Sequence, residues 1–265
     1  PISLATIPSL TEYSRTSLLC GALRQGNSST EAMGFSQNQY LLTHCKAGKP
    51  PVLIHKMALH DVEDAGLSAD IRRKISSKDQ RVVGVVINAI DDYLLKGDQI
   101  DIRWTREEIK ALPTLLYEAK LAGRVVILAS DHGHILDFST EYQQGDGGDR
   151  WRSKQGALTA LEVDISGKRV LTEDHSVIVP WSETVRYSVK KNGYHGGVSP
   201  QEMVVPIAIL ATGDSIPEGW AETPLACPQW WDAAQKADRP LPQAPRTPKK
   251  PKKAEPESLL DWRED

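Results

Sequence analysis

The feature that most constrains this sequence is an apolar segment that ends in a cluster of polar residues. Residues 125–129 are Val-Val-Ile-Leu-Ala, with no polar interruption, which predicts a strand buried on both faces of a sheet. Asp131, His132 and His134 follow directly. Ligands of open α/β sheets bind beyond the carboxyl ends of the strands, and aspartate beside histidine suits zinc or a similar divalent metal. The alternative is a polar turn in which hydrogen bonds satisfy both histidines.

A second apolar segment, residues 82–87, is followed by two adjacent carboxylates, Asp91 and Asp92. The helical pattern between the two apolar segments stops at Gly123, and a strand, helix and parallel strand form a right-handed βαβ unit. This arrangement predicts that Asp91 and Asp131 lie at the same edge of the sheet. We therefore expect an α/β fold with a mostly parallel central sheet flanked by helices.

Thr11 stands at the entry to a short predicted helix, from about Tyr13 to Cys20, which Gly21 ends. Threonine is a common helix N-cap. A threonine hydroxyl at the positive end of a helix is also suited to act as a nucleophile, above all beside a metal. The sequence leaves both roles open.

A histidine flanked by glycines is the third candidate segment of a site. Gly196 and Gly197 follow His195, and glycine lets a backbone and an imidazole approach a ligand closely. The alternative is a glycine-rich turn with an exposed histidine. The apolar residues 204–210 form the last predicted strand, which we expect at the edge of the sheet because Pro206 cannot donate to a ladder.

Composition divides the chain into a core and a tail. The core is expected over 1–212 and includes a β-rich insert at about 145–192, with a hairpin between strands at 158–164 and 168–172. Residues 213–265 are rich in proline and lysine, and we expect them to be extended and largely disordered.

Charge, cysteines and hydropathy exclude several classes of protein. A net charge of -3 gives no general attraction to nucleic acid or anionic lipid, so any phosphate contact must be local. The 3 irregularly spaced cysteines suit a reducing cytoplasm, and no apolar run approaches the ~20 residues of a membrane span. We expect a cytoplasmic protein with no membrane segment. Because the chain opens on Pro1 and on core-like residues, we also expect an amino-terminally truncated piece of a longer protein.

Four motifs in a fixed order carry a family resemblance. They are Pro8-Ser9-Leu10-Thr11 with Arg15-Thr16-Ser17-Leu18-Leu19, Gly123-Arg124-Val125-Val126-Ile127, Ser130-Asp131-His132-Gly133-His134, and His195-Gly196-Gly197-Val198-Ser199-Pro200-Gln201-Glu202. Together they resemble the alkaline phosphatase superfamily, and more narrowly the PglZ domain of the BREX phage-defence systems. The BREX type 2 form is the subset that the chain resembles most. The similar pattern spans roughly residues 1–212.

By that resemblance, Thr11 matches the nucleophile that takes up a phosphoryl group. The matched metal ligands are Asp131 and His132 for one metal, and His195 with Asp91, or its neighbour Asp92, for a second. The implied cofactor is a pair of divalent metals, zinc in the first place and manganese or magnesium as alternatives. Two such cations suit phosphoryl transfer, because they stabilise the attacking oxygen, the leaving oxygen and the equatorial charge.

Further side chains are candidates for supporting roles. His134 could contact a metal ligand and orient it without binding the metal itself. Arg15, Arg150 and Arg152 are candidates for holding phosphate, and their alternative is solvated loop charge.

The sequence departs from the family pattern in two places. No acidic residue precedes Thr11, where the family has a metal aspartate, and Leu95 or Lys96 stands where relatives have a histidine. Asp98 is a candidate substitute for that histidine. Because an incomplete ligand set lowers metal affinity, we expect this chain to bind metal weakly or to be inactive, whereas its full-length parent binds two metals.

The resemblance implies a metal-dependent phosphatase or phosphodiesterase with a threonine nucleophile, acting on nucleotide or nucleic-acid phosphodiesters. It also implies partners among the other BREX proteins, including a methyltransferase and an ATPase. The alternative is a catalytically decayed scaffold subunit of the same complex, which the incomplete ligand set favours. Sulfatase or mutase chemistry on the same fold is a third alternative.

Overall fold

The computed structural model describes residues 1–55, 67–96, 109, 111–213 and 219–221. The chain divides into two compact units, residues 1–218 and 219–265, and the helices and strands described below lie in the first. Asp98 and most of the predicted tail, 213–265, lie outside the described residues. No helix in the described ranges is both long enough and apolar enough to cross a membrane.

The elements alternate between short strands and helices, as expected of an α/β protein. In chain order they are β1 (Ile2–Leu4), α1 (Thr11–Cys20), α2 (Ser28–Ser36), α3 (Gln39–Leu42), β2 (Val52–Ile54), α4 (Ala69–Ser76), β3 (Val83–Val85), α5 (Ala89–Lys96), α6 (Ala111–Leu121), β4 (Val126–Ala129), β5 (Ile135–Leu136), β6 (Glu141–Tyr142), β7 (Glu162–Ser166), β8 (Ser176–Pro180), β9 (Val185–Arg186), β10 (Gly193–Tyr194), α7 (Pro200–Met203) and β11 (Val204–Leu210).

Among the described residues, the largest sheet has three strands in the order β1-β11-β4, and both of its pairings are antiparallel. Leu4 lies opposite Val204 in one ladder, and Ala129 lies opposite Ile207 in the other. A mostly parallel central sheet is therefore not what the described residues show. Parallel pairing occurs in two smaller pairs, β2 with β3 and β6 with β9.

β11 is the central strand of the three-stranded sheet, so the predicted edge position is wrong. The ladder with β4 starts at the pair Ile207 and Ala129, and Pro206 lies one residue outside it. On the other side Pro206 is opposite Ile2, and the hydrogen bond next to it runs from Ile207 N to Pro1 O at 2.9 Å. Pro206 has no N–H group, but neither ladder contains a hydrogen bond that this residue would have to donate.

β3 pairs with β2, and not with β4. The predicted βαβ unit, in which β3 and β4 are parallel strands of one sheet, is therefore not found among the described residues. An apolar core packs against the β2–β3 pair. Ile71 and Ile75 of α4 lie one helical turn apart on a buried face and pack with Ile54 and Leu115. This core supports β3, and the chain then leads directly from β3 into α5.

The β-rich insert contains a hairpin of β7 and β8. The predicted partner strand at 168–172 is wrong, because Val170 makes only an isolated bridge with Ile7 and the true partner starts at Ser176. Gly167 and His175, which both have positive φ values, bound the connection between the two strands. The turn is therefore longer than the sequence suggested.

Candidate active site

Thr11 is the first residue of α1. Leu10 is the N-cap, with extended backbone angles and no capping side chain, so Thr11 does not cap the helix. Gly21 ends the helix in the left-handed conformation, with φ of 70°. The predicted helix is thus confirmed, and the hydroxyl of Thr11 is presented at its positive end.

The hydroxyl of Thr11 contacts the imidazole of His132, 121 residues away in the sequence. Thr11 Oγ1 lies 3.1 Å from His132 Nε2, and His132 is 2% exposed. His132 Nδ1 lies 3.1 Å from the carbonyl oxygen of Gly133, which can only accept a hydrogen bond. Nδ1 therefore carries the proton, and Nε2 is free to accept the proton of the Thr11 hydroxyl.

Three imidazoles form a cluster beside this contact. The ring centroids of His132 and His195 are 4.2 Å apart and nearly parallel. His134 lies 5.0 Å from His132 and 5.1 Å from His195. Gly133 permits this arrangement, because a Cβ atom there would lie 1.9 Å from Gln201 O.

Asp91 lies in the first turn of α5 and joins the cluster through His134. Asp91 Oδ1 is 2.9 Å from His134 Nε2. Burial raises the pKa of Asp91, but the hydrogen bond from His134 and the charges of His134, His132 and His195 outweigh it and lower the pKa. Asp91 is therefore held in its ionised form, as a metal ligand or a partner of imidazolium requires.

The imidazole of His195 is hydrogen-bonded to the backbone just before α1. Its Nδ1 lies 3.0 Å from the carbonyl oxygen of Ser9. Burial lowers the pKa of His195, and the neighbouring His132 lowers it further, against opposing effects of Ser9, Asp91 and Asp149. The neutral imidazole, which is the form that binds metal or accepts a proton, is thereby favoured.

Except for His132, these side chains line one small cleft of about 90 Å³. Its lining residues are Thr11, Asp91, Leu94, His134, Asp149, Gly193 and His195. Asp149 was not among the predicted site residues; the only sequence signal was an acidic residue in a glycine-rich loop. Its carboxylate forms an ion pair with Lys191, with Nζ 2.6 Å from Oδ2.

Asp131 lies next to this cleft but lines a different cavity of about 250 Å³, together with Ser14, Ser17 and Arg169 among others. Its Oδ2 is 3.6 Å from His132 Nε2. The same oxygen is buried without a hydrogen-bond partner. Asp92 follows Asp91 in the first turn of α5 and does not line the cleft.

The guanidinium group of Arg15 binds protein partners. Its Nε lies 3.0 Å from Glu31 Oε1, and its Nη1 lies 3.1 Å from Asn88 Oδ1. Glu31 is completely buried and also contacts His55 Nε2 at 2.8 Å. Nothing in the local sequence of Glu31 distinguishes it from a surface residue of a helix, so its burial could not be predicted.

Arg150 and Arg152 are buried, so both the phosphate-holding and the solvated interpretations of them are wrong. Arg150 pairs with Glu202 at 2.9 Å, and Arg152 pairs with Glu162 at 2.8 Å. Glu202 also accepts a hydrogen bond from Gly197 N at 2.8 Å. The Arg150–Glu202 pair thus supports the loop that carries His195.

The donor chemistry of the cluster suits a divalent cation. Imidazole nitrogens and carboxylate oxygens are zinc and manganese ligands, and the unpartnered Oδ2 of Asp131 is an oxygen that a cation would satisfy. Within the described part of the chain, however, no group of three or more His, Cys, Asp or Glu side chains is arranged to hold a metal ion. The donors are of the right kind but do not converge on one point.

Comparison with known proteins identifies one family. A family model described as the BREX system PglZ alkaline phosphatase-like domain matches residues 2–210. The matched range includes all the residues that line the cleft and covers more than half of the 265-residue chain. None of the curated proteins matches the chain.

Proposed function

The chain belongs to the PglZ family of BREX alkaline phosphatase-like domains, and from this membership we propose that it hydrolyses phosphoric esters with Thr11 as the nucleophile. One observation carries the proposal. The hydroxyl of Thr11 lies at the start of α1 and within hydrogen-bond distance, 3.1 Å, of an imidazole nitrogen that can take its proton. A nucleophile and a base in contact are the minimal requirement for covalent catalysis.

In the proposed reaction, Thr11 Oγ1 attacks phosphorus and its proton passes to His132 Nε2. The bond from phosphorus to the leaving oxygen breaks, and that oxygen takes up the proton. Water then attacks phosphorus in the phosphothreonine and gives a proton to His132 Nε2. The P–O bond to Thr11 breaks, Oγ1 takes that proton back, and the phosphate product with its new P–O bond leaves. The amino-terminal end of α1 favours the negative charge on the phosphoryl oxygens throughout.

A divalent cation is part of the proposal because the cleft itself is acidic. Asp91 and Asp149 both line it and would repel a phosphate group. We assign His195 and Asp91 as residues that would hold one such cation, and Asp131 with His132 as residues that would hold a second. Nε2 is the unprotonated nitrogen of His132, so it would bind a cation only in the state in which it does not hold the Thr11 proton. When bound, a cation supplies Lewis-acid stabilisation of negative charge on the phosphoryl oxygens.

Family membership is also the basis on which we propose a substrate class and partners. The family belongs to BREX systems, and a role in phage defence fits at the family level. We propose nucleotide or nucleic-acid phosphodiesters as substrates, and other BREX proteins, a methyltransferase and an ATPase among them, as partners. With a net charge of -3, binding to a nucleic acid would depend on local contacts at the cleft and on the cations.

The test is hydrolysis of a chromogenic phosphodiester in the presence of zinc or manganese. Thr11→Ala is expected to lower the rate by about 10⁴-fold or more, because it removes the nucleophile. Thr11→Ser keeps a hydroxyl and is expected to retain part of the activity. Thr43→Ala is the matched control, since Thr43 is exposed and its hydroxyl bonds only to Tyr40 O, at 2.6 Å, among the contacts described. Equal rates for Thr11→Ala and Thr43→Ala would overturn the proposal.

A scaffold role is the second candidate, and one observation favours it: the metal-binding donors do not converge among the residues described. This alternative predicts no hydrolysis by the wild type with either metal. It also predicts that Asp131→Ala still co-purifies with the methyltransferase or the ATPase. Metal-dependent hydrolysis that is lost in Thr11→Ala would exclude a purely structural role.

A further inference from the structure

Ser9 connects the segment that carries Thr11 to the loop that carries His195. Ser9 is completely buried, and its hydroxyl makes two hydrogen bonds across a separation of more than 180 residues. Oγ donates to Gly197 O at 2.9 Å and accepts from Gly196 N at 3.0 Å. Its carbonyl oxygen lies 3.0 Å from His195 Nδ1. One residue therefore contacts three consecutive residues of the loop.

The loop needs such support because its backbone is built from glycines. Gly196 has φ of +117°, a conformation that other residues rarely adopt. A Cβ atom on Gly197 would lie 2.7 Å from Glu202 Oε2 and 2.9 Å from Pro180 O, so this residue packs tightly against its neighbours. Ser9 holds the loop on one side, and Glu202, which accepts from Gly197 N, holds it on the other.

The contact with Ser9 O determines which nitrogen of His195 carries the proton. A carbonyl oxygen only accepts, so Nδ1 must donate, and Nε2 is left with its lone pair. His195 lines the cleft with Thr11, Asp91 and His134. An unprotonated Nε2 is the form in which His195 can bind a cation or accept a proton there.

We propose that Ser9 is the positioning residue of this site. Its hydroxyl holds the loop 195–197 against the start of α1. Its carbonyl oxygen can then accept from His195 Nδ1, which fixes the tautomer in which Nε2 is unprotonated. This inference rests on the proposed function, because it treats His195 as a working side chain of the cleft. In this role, Ser9 acts on the position of His195 and does not contact the substrate. It also makes Thr11 and His195 parts of one hydrogen-bonded unit, since Ser9 is two residues before Thr11.

Ser14 offers a matched control. It is also a buried serine, 3% exposed, and its hydroxyl bonds with Thr6 Oγ1 at 2.7 Å and with Thr6 N at 3.2 Å. Neither of these bonds involves the loop 195–197. Ser9→Ala and Ser14→Ala therefore remove hydroxyls of similar burial and similar bonding, and only the first removes contacts with the loop.

The direct test is the tautomer of His195, measured from ¹⁵N shifts of a histidine-labelled full chain near neutral pH, with the signal assigned through His195→Gln. We expect the Nδ1–H form in the wild type and in Ser14→Ala, and a mixture of both tautomers in Ser9→Ala. An Nε2–H tautomer in the wild type would overturn the proposal, and this measurement stands even where Ser9→Ala does not fold. A Ser9→Ala spectrum identical to that of Ser14→Ala would overturn it as well.

A second readout is zinc affinity by calorimetry, with thermal melts to confirm that both variants are folded. Loss of a residue that orients a ligand lowers metal affinity by roughly 10- to 100-fold, which we expect for Ser9→Ala and not for Ser14→Ala. Neither measurement uses a substrate. Retained hydrolysis by Thr11→Ala would therefore count against the proposed function, whereas equal tautomers and equal zinc affinities in the two serine variants would count against the role of Ser9.

Discussion

At the scale of single residues, three buried carboxylates among the described residues are held by arginines. The pairs are Glu31 with Arg15, Glu162 with Arg152, and Glu202 with Arg150. A buried charge is costly unless it is both paired and hydrogen-bonded. Each of these glutamates accepts at least one further hydrogen bond from the protein, so removal of its charge would leave an arginine without its partner.

Glu162 provides a test that depends on pH. Burial raises its pKa, but hydrogen bonds from Arg152, Tyr187 and Thr159 N outweigh this effect and lower the pKa to about 2. The folded-state pKa is lower than the ordinary value of 4.5, so the stability from this carboxylate is complete above about pH 4.5 and is lost as the pH falls through about 2. Glu162→Gln is expected to lower the free energy of unfolding at neutral pH by about 3 kcal/mol and to remove that loss at low pH. Urea denaturation at several pH values measures both effects.

Asp164→Asn is the control for Glu162→Gln. Asp164 lies in the same strand, and its ion pair with Lys154, at 2.9 Å, is exposed to solvent. Exposed pairs contribute little, so the expected change in unfolding free energy is within about 0.5 kcal/mol. Comparable destabilisation by the two substitutions would show that burial of Glu162 does not matter.

Thr11, His132 and His195 could be proposed as site residues from the sequence because each stands in a motif of neighbouring residues. Ser9 and Asp149 could not be proposed in this way, because their importance depends on contacts between distant segments. A serine near a turn and an acidic residue among glycines are common in any sequence. Local patterns therefore point to the side chains that we propose as reactive more directly than to the residue that we propose as their positioning residue.

At the scale of elements, α1 is the helix on which the site depends. Its first residue is Thr11, and Arg15 ties its second turn to Glu31 of α2 and to Asn88, the residue before α5. His55, directly after β2, bonds to the same glutamate. The carboxylate of Glu31 thus joins α1, α2 and the end of β2.

Glu31→Gln is expected to destabilise the protein by about 3 kcal/mol, because it leaves Arg15 partly buried without a charged partner. It is also expected to lower hydrolysis, since α1 carries Thr11. Glu12→Gln is the control: Glu12 is exposed on the same helix, and its loss is expected to change the unfolding free energy by less than about 0.5 kcal/mol. Chemical denaturation compares the two. A stable Glu31→Gln variant would mean that the three elements are held by other contacts.

The positions of α1 and β4 were predicted well, but the prediction that β4 is buried on both faces is wrong, because Ile127 is 58% exposed. α1 starts within two residues of the predicted position. The position of β11 was wrong because proline forbids a particular hydrogen bond and does not forbid a central strand. Strand order depends on which segments meet in space, and no local pattern encodes it.

At the scale of the whole molecule, the site is assembled from distant parts of the chain. Its donors come from α5, from the turn after β4 and from the loop after β10. An unfolded chain does not bring these donors together. A cation that binds them therefore prefers the folded state and should stabilise it by mass action.

Zinc at 100 times its dissociation constant is expected to stabilise the folded protein by about 2.7 kcal/mol, and a chelator is expected to reverse the effect. Thermal melts with and without zinc measure this change. The double variant Asp131→Ala, His132→Ala is expected to lose the larger part of it. His44→Ala, which removes an exposed histidine outside the cleft, is expected to retain it. The same zinc response in both variants would show that zinc binds elsewhere.

The central place of β11 also bears on how the protein is made. In the three-stranded sheet, β1 and β4 are both paired with β11 and not with each other. A ribosome releases residues 204–210 long after β1 and β4, and His195 only shortly before them. The sheet is therefore completed only after nearly all of this unit has been synthesised. His195 is also the last of the residues that line the cleft, so the cleft cannot be complete in a shorter nascent chain.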